Sequence, residues 1–159
     1  MRILVIGGYG AFGTRIVRRL KRIHNLEVLV GGRNASKADV VLDITKRENL
    51  MKNLSELKPH LVIHTAGPFN NSEDYAVARA CLAVSSTGHK CHYLDLADNS
   101  EYVMGFGILD EEARKMGCLL VTGASTTPAV TTVRYAHIFC ALPEQLNGLH
   151  NCMLCNVCM

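Results

Sequence analysis

Apolar and polar positions fall in blocks along the chain, and the period of each block predicts its element. Arg2–Ile6 is a nearly continuous apolar run rich in branched side chains, the pattern of a strand buried on both faces. Residues 12–23 place Phe12, Ile16, Val17, Leu20 and Ile23 on one helix face and Arg15, Arg18, Arg19 and Arg22 on the other. Strands are predicted at 26–30 and 40–42. A polar helix at Arg47–Leu57 carries Leu50, Leu54 and Leu57 as its stripe and stops at Pro59. A fourth strand at 61–65 runs into Ala66-Gly67-Pro68. Then come a helix at 73–86, a strand at 91–96, a helix at 108–116 closed by Gly117, and a strand at 118–122. Pro128 marks a further helix start.

Alternating strands and helices with apolar strand runs specify an α/β fold: a doubly wound, mostly parallel sheet of Rossmann type in a single domain. Only residues 32–39 separate the second and third strands, too few for the usual helical crossover, so that helix is expected to be missing or reduced to one turn. The expected limits are the Rossmann-type domain over residues 1–142 and a tail over 143–159.

Composition narrows the class. The chain has 159 residues, 48% hydrophobic and 19% charged, enough apolar material for one core and too little charge for disorder. Its net charge of +3 is scattered rather than gathered in a stripe, which argues against a nucleic-acid partner. The uncharged stretch at 116–133 holds Gly117, Gly123, Ser125 and Pro128, so it reads as strand, loop and helix start rather than as a membrane span. Seven irregularly spaced cysteines, with Cys81, Cys91, Cys118 and Cys140 inside apolar or helical patterns, fit reduced thiols and a cytoplasmic location. Cys152, Cys155 and Cys158 are spaced three apart beside His150 but lack a fourth ligand, and no metal is expected. His64, on an apolar strand, is read as a hydrogen-bonded core histidine rather than a catalyst.

The chemistry lies in the glycines after the first strand. Gly8, Gly10 and Gly13 match G-x-G-x-x-G between a buried strand and an amphipathic helix. Gly8 is expected to permit the tight turn, Gly10 to let backbone approach a pyrophosphate, and Gly13 to let helix and strand pack closely. The helix N-terminus would offer its N–H groups to the phosphates. Some 20 residues past the motif an NAD site usually has a carboxylate for the ribose. Here stand Gly32 and Arg33, with Asn34 after them. Glycine leaves room for a 2′-phosphate and the guanidinium can pair with it, which favours NADP(H). Asp43 either accepts from the adenine amino group or caps the helix that follows; both readings stand.

Five blocks in order, GGYGAFG at 7–13, GGRN at 31–34, HTAGPF at 64–69, HYLDLAD at 92–98 and GASTTP at 123–128, resemble the NADP-binding domain of the saccharopine dehydrogenase-like family. The resemblance places Gly8, Tyr9, Gly10, Ala11, Phe12 and Gly13 at the pyrophosphate and Arg33 at the adenosine ribose. It runs Ala66, Gly67, Pro68 and Phe69 along the nicotinamide-side ribose, though Phe69 reads equally well as a core aromatic. It implies NADP as cofactor and hydride transfer at a carbon–nitrogen centre of an amino-acid-derived small molecule. Tyr93, Asp95 and Asp98 either orient substrate or do structural work, with Asp98 or Asn99 capping the next helix and Asp95 holding a loop.

Three departures accompany the resemblance. The turn at 83–90 is longer than usual, the second crossover is short, and the chain stops soon after the sixth strand, where family members continue into a substrate-binding, dimerising domain. The tail would then be the start of that domain. Catalysis is therefore expected to need a partner chain or homodimer, and a non-catalytic NADP-binding or redox-sensing module is the alternative. A short-chain dehydrogenase needs a tyrosine and a lysine four apart; Tyr9, Tyr75, Tyr93, Tyr102 and Tyr135 have no such lysine, and that class is set aside.

Overall fold

The computed structural model describes residues 1–69 and 75–125. The helix expected from Pro128, Cys140 and the Cys152, Cys155 and Cys158 tail lie outside the described residues, as does the proposed boundary at 142/143.

Six strands form one parallel sheet: β1 (Arg2–Ile6), β2 (Glu27–Gly32), β3 (Val40–Val41), β4 (Leu61–His64), β5 (His92–Asp95) and β6 (Leu120–Val121), in the order β3-β2-β1-β4-β5-β6. This is the doubly wound Rossmann-type architecture expected. The order reverses beside β1, whose neighbours are β2 and β4. All carboxyl ends share one edge, so a crevice opens where the connections after β1 and β4 leave in opposite directions.

β1 is buried on both faces because each face meets a helix layer. Ile3 and Val5 pack with Val17, Val28, Val30 and Ile63 under α1 (Ala11–Leu20). Leu4 and Ile6 face the larger core, with α2 (Arg47–Leu57) and α3 (Ala76–Ser85) supplying Leu50, Leu54 and Leu82. Each such leucine, taken wholly out of water, stabilises the fold by roughly 1.5–3 kcal/mol. α1 ends at Leu20, three residues before the predicted end, and Ile23 is exposed rather than buried.

No helix joins β2 to β3. The chain turns at Asn34, whose carbonyl accepts from the backbone N–H groups of Lys37 and Ala38. Before β6 the predicted single helix is two, α4 (Ser100–Gly105) and α5 (Asp110–Met116), linked by a 3₁₀ turn at Phe106–Leu109. Gly117 ends α5 at φ 64°, the left-handed conformation its position predicts. Among the described residues no helix is long and apolar enough to cross a membrane.

Candidate functional site

The loop after β1 is built from glycines with separate tasks. The tight turn falls at Gly7, not at Gly8 as the motif suggests: Gly7 has φ 77°, and its N–H donates to the Gly31 carbonyl at 2.8 Å. Gly8 serves packing instead. A Cβ there would meet the Val5 carbonyl at 2.9 Å and Val30 and Val17 at 3.1 and 3.2 Å. At Gly13 a Cβ would strike the Gly7 carbonyl oxygen and stand 2.7 Å from Gly8 Cα, so only glycine lets α1 lie this close to the strand end. Gly10 is the extended residue that opens α1, and no side chain caps that helix. No acidic residue occupies its first turn, so no side chain of that turn offsets the positive end of the helix dipole.

At the end of β2, the room left by Gly32 is already taken. A Cβ there would lie 2.6 Å from the Tyr9 ring, which crosses the strand end. That corrects the expectation that Gly32 clears space for a phosphate; it clears space for Tyr9. The Tyr9 hydroxyl accepts from the Asn34 N–H at 3.2 Å. Asn34 Oδ1 accepts from the Ser36 N–H and hydroxyl at 2.9 and 2.8 Å, so this side chain shapes the turn. Arg33 is exposed along the cleft. Across from it, Asp43 accepts from the Thr45 hydroxyl at 2.8 Å and the Thr45 N–H at 3.0 Å. The Thr45 hydroxyl, and then its N–H, hold the Asp43 carboxyl below the usual range, with smaller help from Lys46 and Arg33. Asp43 does not cap α2, whose N-cap is Lys46 without a side-chain bond; it closes the turn before it.

The inner end of the crevice follows β4. The Thr65 hydroxyl and N–H both donate to the Ile6 carbonyl at 2.9 Å, tying the β4 exit to β1. Phe69 packs edge-on against His64 and Tyr102, with ring centroids 4.9 and 5.5 Å apart. Beneath them lies a buried polar chain. The Tyr93 hydroxyl donates to Asp95 at 2.9 Å and stands 3.2 Å from His64 Nδ1. Burial holds the His64 imidazole down to about 4, against the opposing pull of Asp95 and the Ala66 backbone. Burial, and then the Asp95 charge, push the Tyr93 phenol well up.

Asp95 is fully buried and accepts from the N–H groups of Ala97 and Gly123 and from the Thr122 hydroxyl. It ties the ends of β5 and β6 together, the structural reading of this residue. Asn99, not Asp98, caps the following helix, accepting from the Tyr102 N–H at 2.9 Å.

These elements enclose a cleft of about 680 Å³ at the carboxyl edge of the sheet, within the roughly 300–1,000 Å³ usual for small-molecule and cofactor sites. Of the residues expected there, Tyr9, Gly10, Arg33, Asp43, Ala66, Gly67, Pro68 and Phe69 line it. Gly8, Ala11, Phe12, Gly13 and Asn34 do not: Gly8 and Gly13 are consumed by packing, Ala11 and Phe12 are exposed on α1, and Asn34 turns into its own loop. Gly7, Thr45, His64, Thr65 and Tyr102 line the cleft and were not singled out for it. Thr45 and Thr65 flank predicted site residues, which was a usable signal; Tyr102 reaches the cleft only through tertiary packing.

Cys81 and Cys91 are buried and Cys118 half-buried, all as free thiols, and burial pushes the Cys81 thiol well up. Among the described residues no group of three or more His, Cys, Asp or Glu side chains is placed to hold a metal.

A parallel six-stranded sheet with a glycine-lined crevice at its order reversal defines the Rossmann dinucleotide-binding class. The model of the NAD dependent epimerase/dehydratase family matches residues 3–101, and the chain belongs to that family. Its domain is the nicotinamide-dinucleotide-binding one.

Solved structures similar in fold include a partial consensus L-threonine 3-dehydrogenase (14% identity, 76% of this chain and 51% of that one, TM-score 0.56). Another is the UDP-Glc/GlcNAc 4-epimerase from Campylobacter jejuni (13% identity, 76% and 52%, TM-score 0.55). A third is the UDP-N-acetylglucosamine 4-epimerase from Bacillus cereus (18%, 77% and 52%, TM-score 0.51). The chain spans about half the length of these structures. No curated protein matches it.

The family match overturns the resemblance to saccharopine dehydrogenase-like proteins, and the amino-acid-derived substrate, which that resemblance alone implied, loses its support. Three of the five blocks that carried that resemblance line the crevice, and such blocks report how a backbone cradles a dinucleotide, not what is oxidised. Setting aside the short-chain dehydrogenases is corrected too. The matched region, residues 3–101, forms the cofactor cradle, so the absence of a paired tyrosine and lysine has no weight against the family.

Proposed function

We propose that the cleft binds NADP(H) and that the whole protein is an oxidoreductase using it for hydride transfer. Fit is supported by the cradle itself: Gly13 admits no side chain, Gly10 opens an uncapped helix, and the crevice lies at the sheet's order reversal. In this reading Tyr9, Gly10 and the α1 N-terminus hold the pyrophosphate. Ala66, Gly67, Pro68 and Phe69 line the nicotinamide side. When bound, the cofactor supplies the hydride. The chain's residues orient it and exclude water from one of its faces.

The preference for the phosphorylated form rests on one observation: the β2 end presents Arg33, exposed along the cleft, where a carboxylate would otherwise take the ribose hydroxyls. With Tyr9 filling the space over Gly32, the contact to a 2′-phosphate falls to the Arg33 guanidinium alone. In the same reading Asp43, which lines the cleft near that end, accepts from the adenine amino group. NADPH is expected to bind at least tenfold more tightly than NADH, about 1.4 kcal/mol. Arg33→Ala should erase that gap with NADH affinity unchanged. Fluorescence titration giving equal affinities in the wild type, or a gap that survives the substitution, contradicts the assignment.

A further inference from the structure

His64 is 6% exposed, lines the cleft, and has a ring nitrogen, Nε2, that finds no hydrogen-bond partner among the described residues. A buried ring nitrogen left this way is costly, and native folds seldom retain one without a use. The protonation pattern follows from its neighbours. Tyr93 has one hydroxyl proton, and it is donated to Asp95. Asp95 accepts from every partner it has here: two N–H groups and two hydroxyls. The Tyr93 oxygen can then accept from His64, and that hydrogen bond puts the ring proton on Nδ1. On this tautomer Nε2 carries the lone pair, on the side of the ring away from Tyr93.

Resting on the NADP(H) reading, we infer that His64 is a positioning residue for the nicotinamide half of the ligand, its Nε2 accepting an O–H or N–H from that half. Three placements support this. His64 is the last residue of β4 and pairs with Ile6, the last of β1, so it stands at the order reversal itself. It precedes the Ala66–Gly67 exit, where small side chains leave space. Phe69, edge-on to the imidazole, lines the same cleft. A ribose hydroxyl and a carboxamide N–H are the donors that half of the cofactor offers. A substrate hydroxyl has the same chemistry.

The test uses the full chain with ¹⁵N-labelled histidine and two probes, NADPH and adenosine 2′,5′-bisphosphate, which lacks the nicotinamide half. The free chain should show a protonated Nδ1 and an unprotonated Nε2. Saturating NADPH should move the Nε2 resonance toward that of a hydrogen-bonded acceptor, and the bisphosphate should bind without moving it. His64→Gln should weaken NADPH about tenfold while leaving bisphosphate affinity unchanged, a split that general loosening of the fold would not produce. NADPH that binds without disturbing Nε2 overturns this inference and leaves the cleft assignment standing, with a substrate donor then tested by its own addition. A protonated Nε2 in the free chain, or equal losses for both probes, also overturns it. Failure of both probes to bind overturns the NADP(H) reading itself.

Discussion

Single residues carry the cradle through what they lack. Gly13 is the clearest case, because a methyl group there would enter the backbone of the preceding turn. The spacing of the three motif glycines made this cradle legible in sequence, but not their division of labour, which depends on the path of the loop. Gly7, outside the motif, takes the left-handed turn, and Gly8 is needed because Val17 and Val30 converge on it. Arg33 was legible because the absence of a carboxylate at a fixed distance is itself a signal; Tyr9 crossing over Gly32 was not, since the two are distant in sequence.

His64 shows the same limit. Its burial was readable from an apolar strand, while its partner Tyr93 lies on the next strand. Its effect on stability has a definite sign. The unfolded imidazole titrates near 6.5 and the folded one at about 4. Between these values the unfolded chain takes up a proton that the native one refuses. Stability is therefore full above about pH 6.5 and falls as the pH drops toward 4, by on the order of 3 kcal/mol. Urea unfolding across that window should show a steeper loss for the wild type than for His64→Gln. Parallel pH dependences in the two proteins would contradict the buried neutral imidazole.

Elements with one uninterrupted period were read well, and those with mixed signals were not. β1, α2 and the helix-free β2–β3 connection follow directly from the chain. The α4 region was missed because Gly105 and Gly107 break what otherwise reads as helix. Yet Tyr102, Phe106, Leu109 and Ala113 are all buried, at offsets of 4, 7 and 11 from the first, and form one stripe across both helices and the 3₁₀ turn between them. The stripe seats Tyr102 at the cleft, so the start of α4 bears on the site. Asn99 caps that start, and Asn99→Ala should cost about 1 kcal/mol of stability. Chemical denaturation giving no loss would show that packing of the stripe alone sets where α4 begins.

At the scale of the whole molecule, the parallel sheet and its order reversal matter more than any one side chain, because they decide where a ligand can lie. The alternation of strands and helices sufficed for that. The family did not follow so directly: blocks that shape a dinucleotide cradle look alike across families with different substrates, and the match over residues 3–101 places this chain with the epimerases and dehydratases. In the proposed binding mode a dinucleotide lies across the carboxyl edge between β2, β1 and β4. An NMR titration of the uniformly ¹⁵N-labelled chain with NADPH tests it most directly. Saturable shifts should concentrate at the amides of Gly7, Tyr9 and Gly10, at Arg33, and at Ala66 and Gly67, with residues at the opposite edge, such as Arg2, Glu27 and Leu61, unmoved. Shifts gathered at that opposite edge, or a spectrum unchanged at millimolar NADPH, would contradict it.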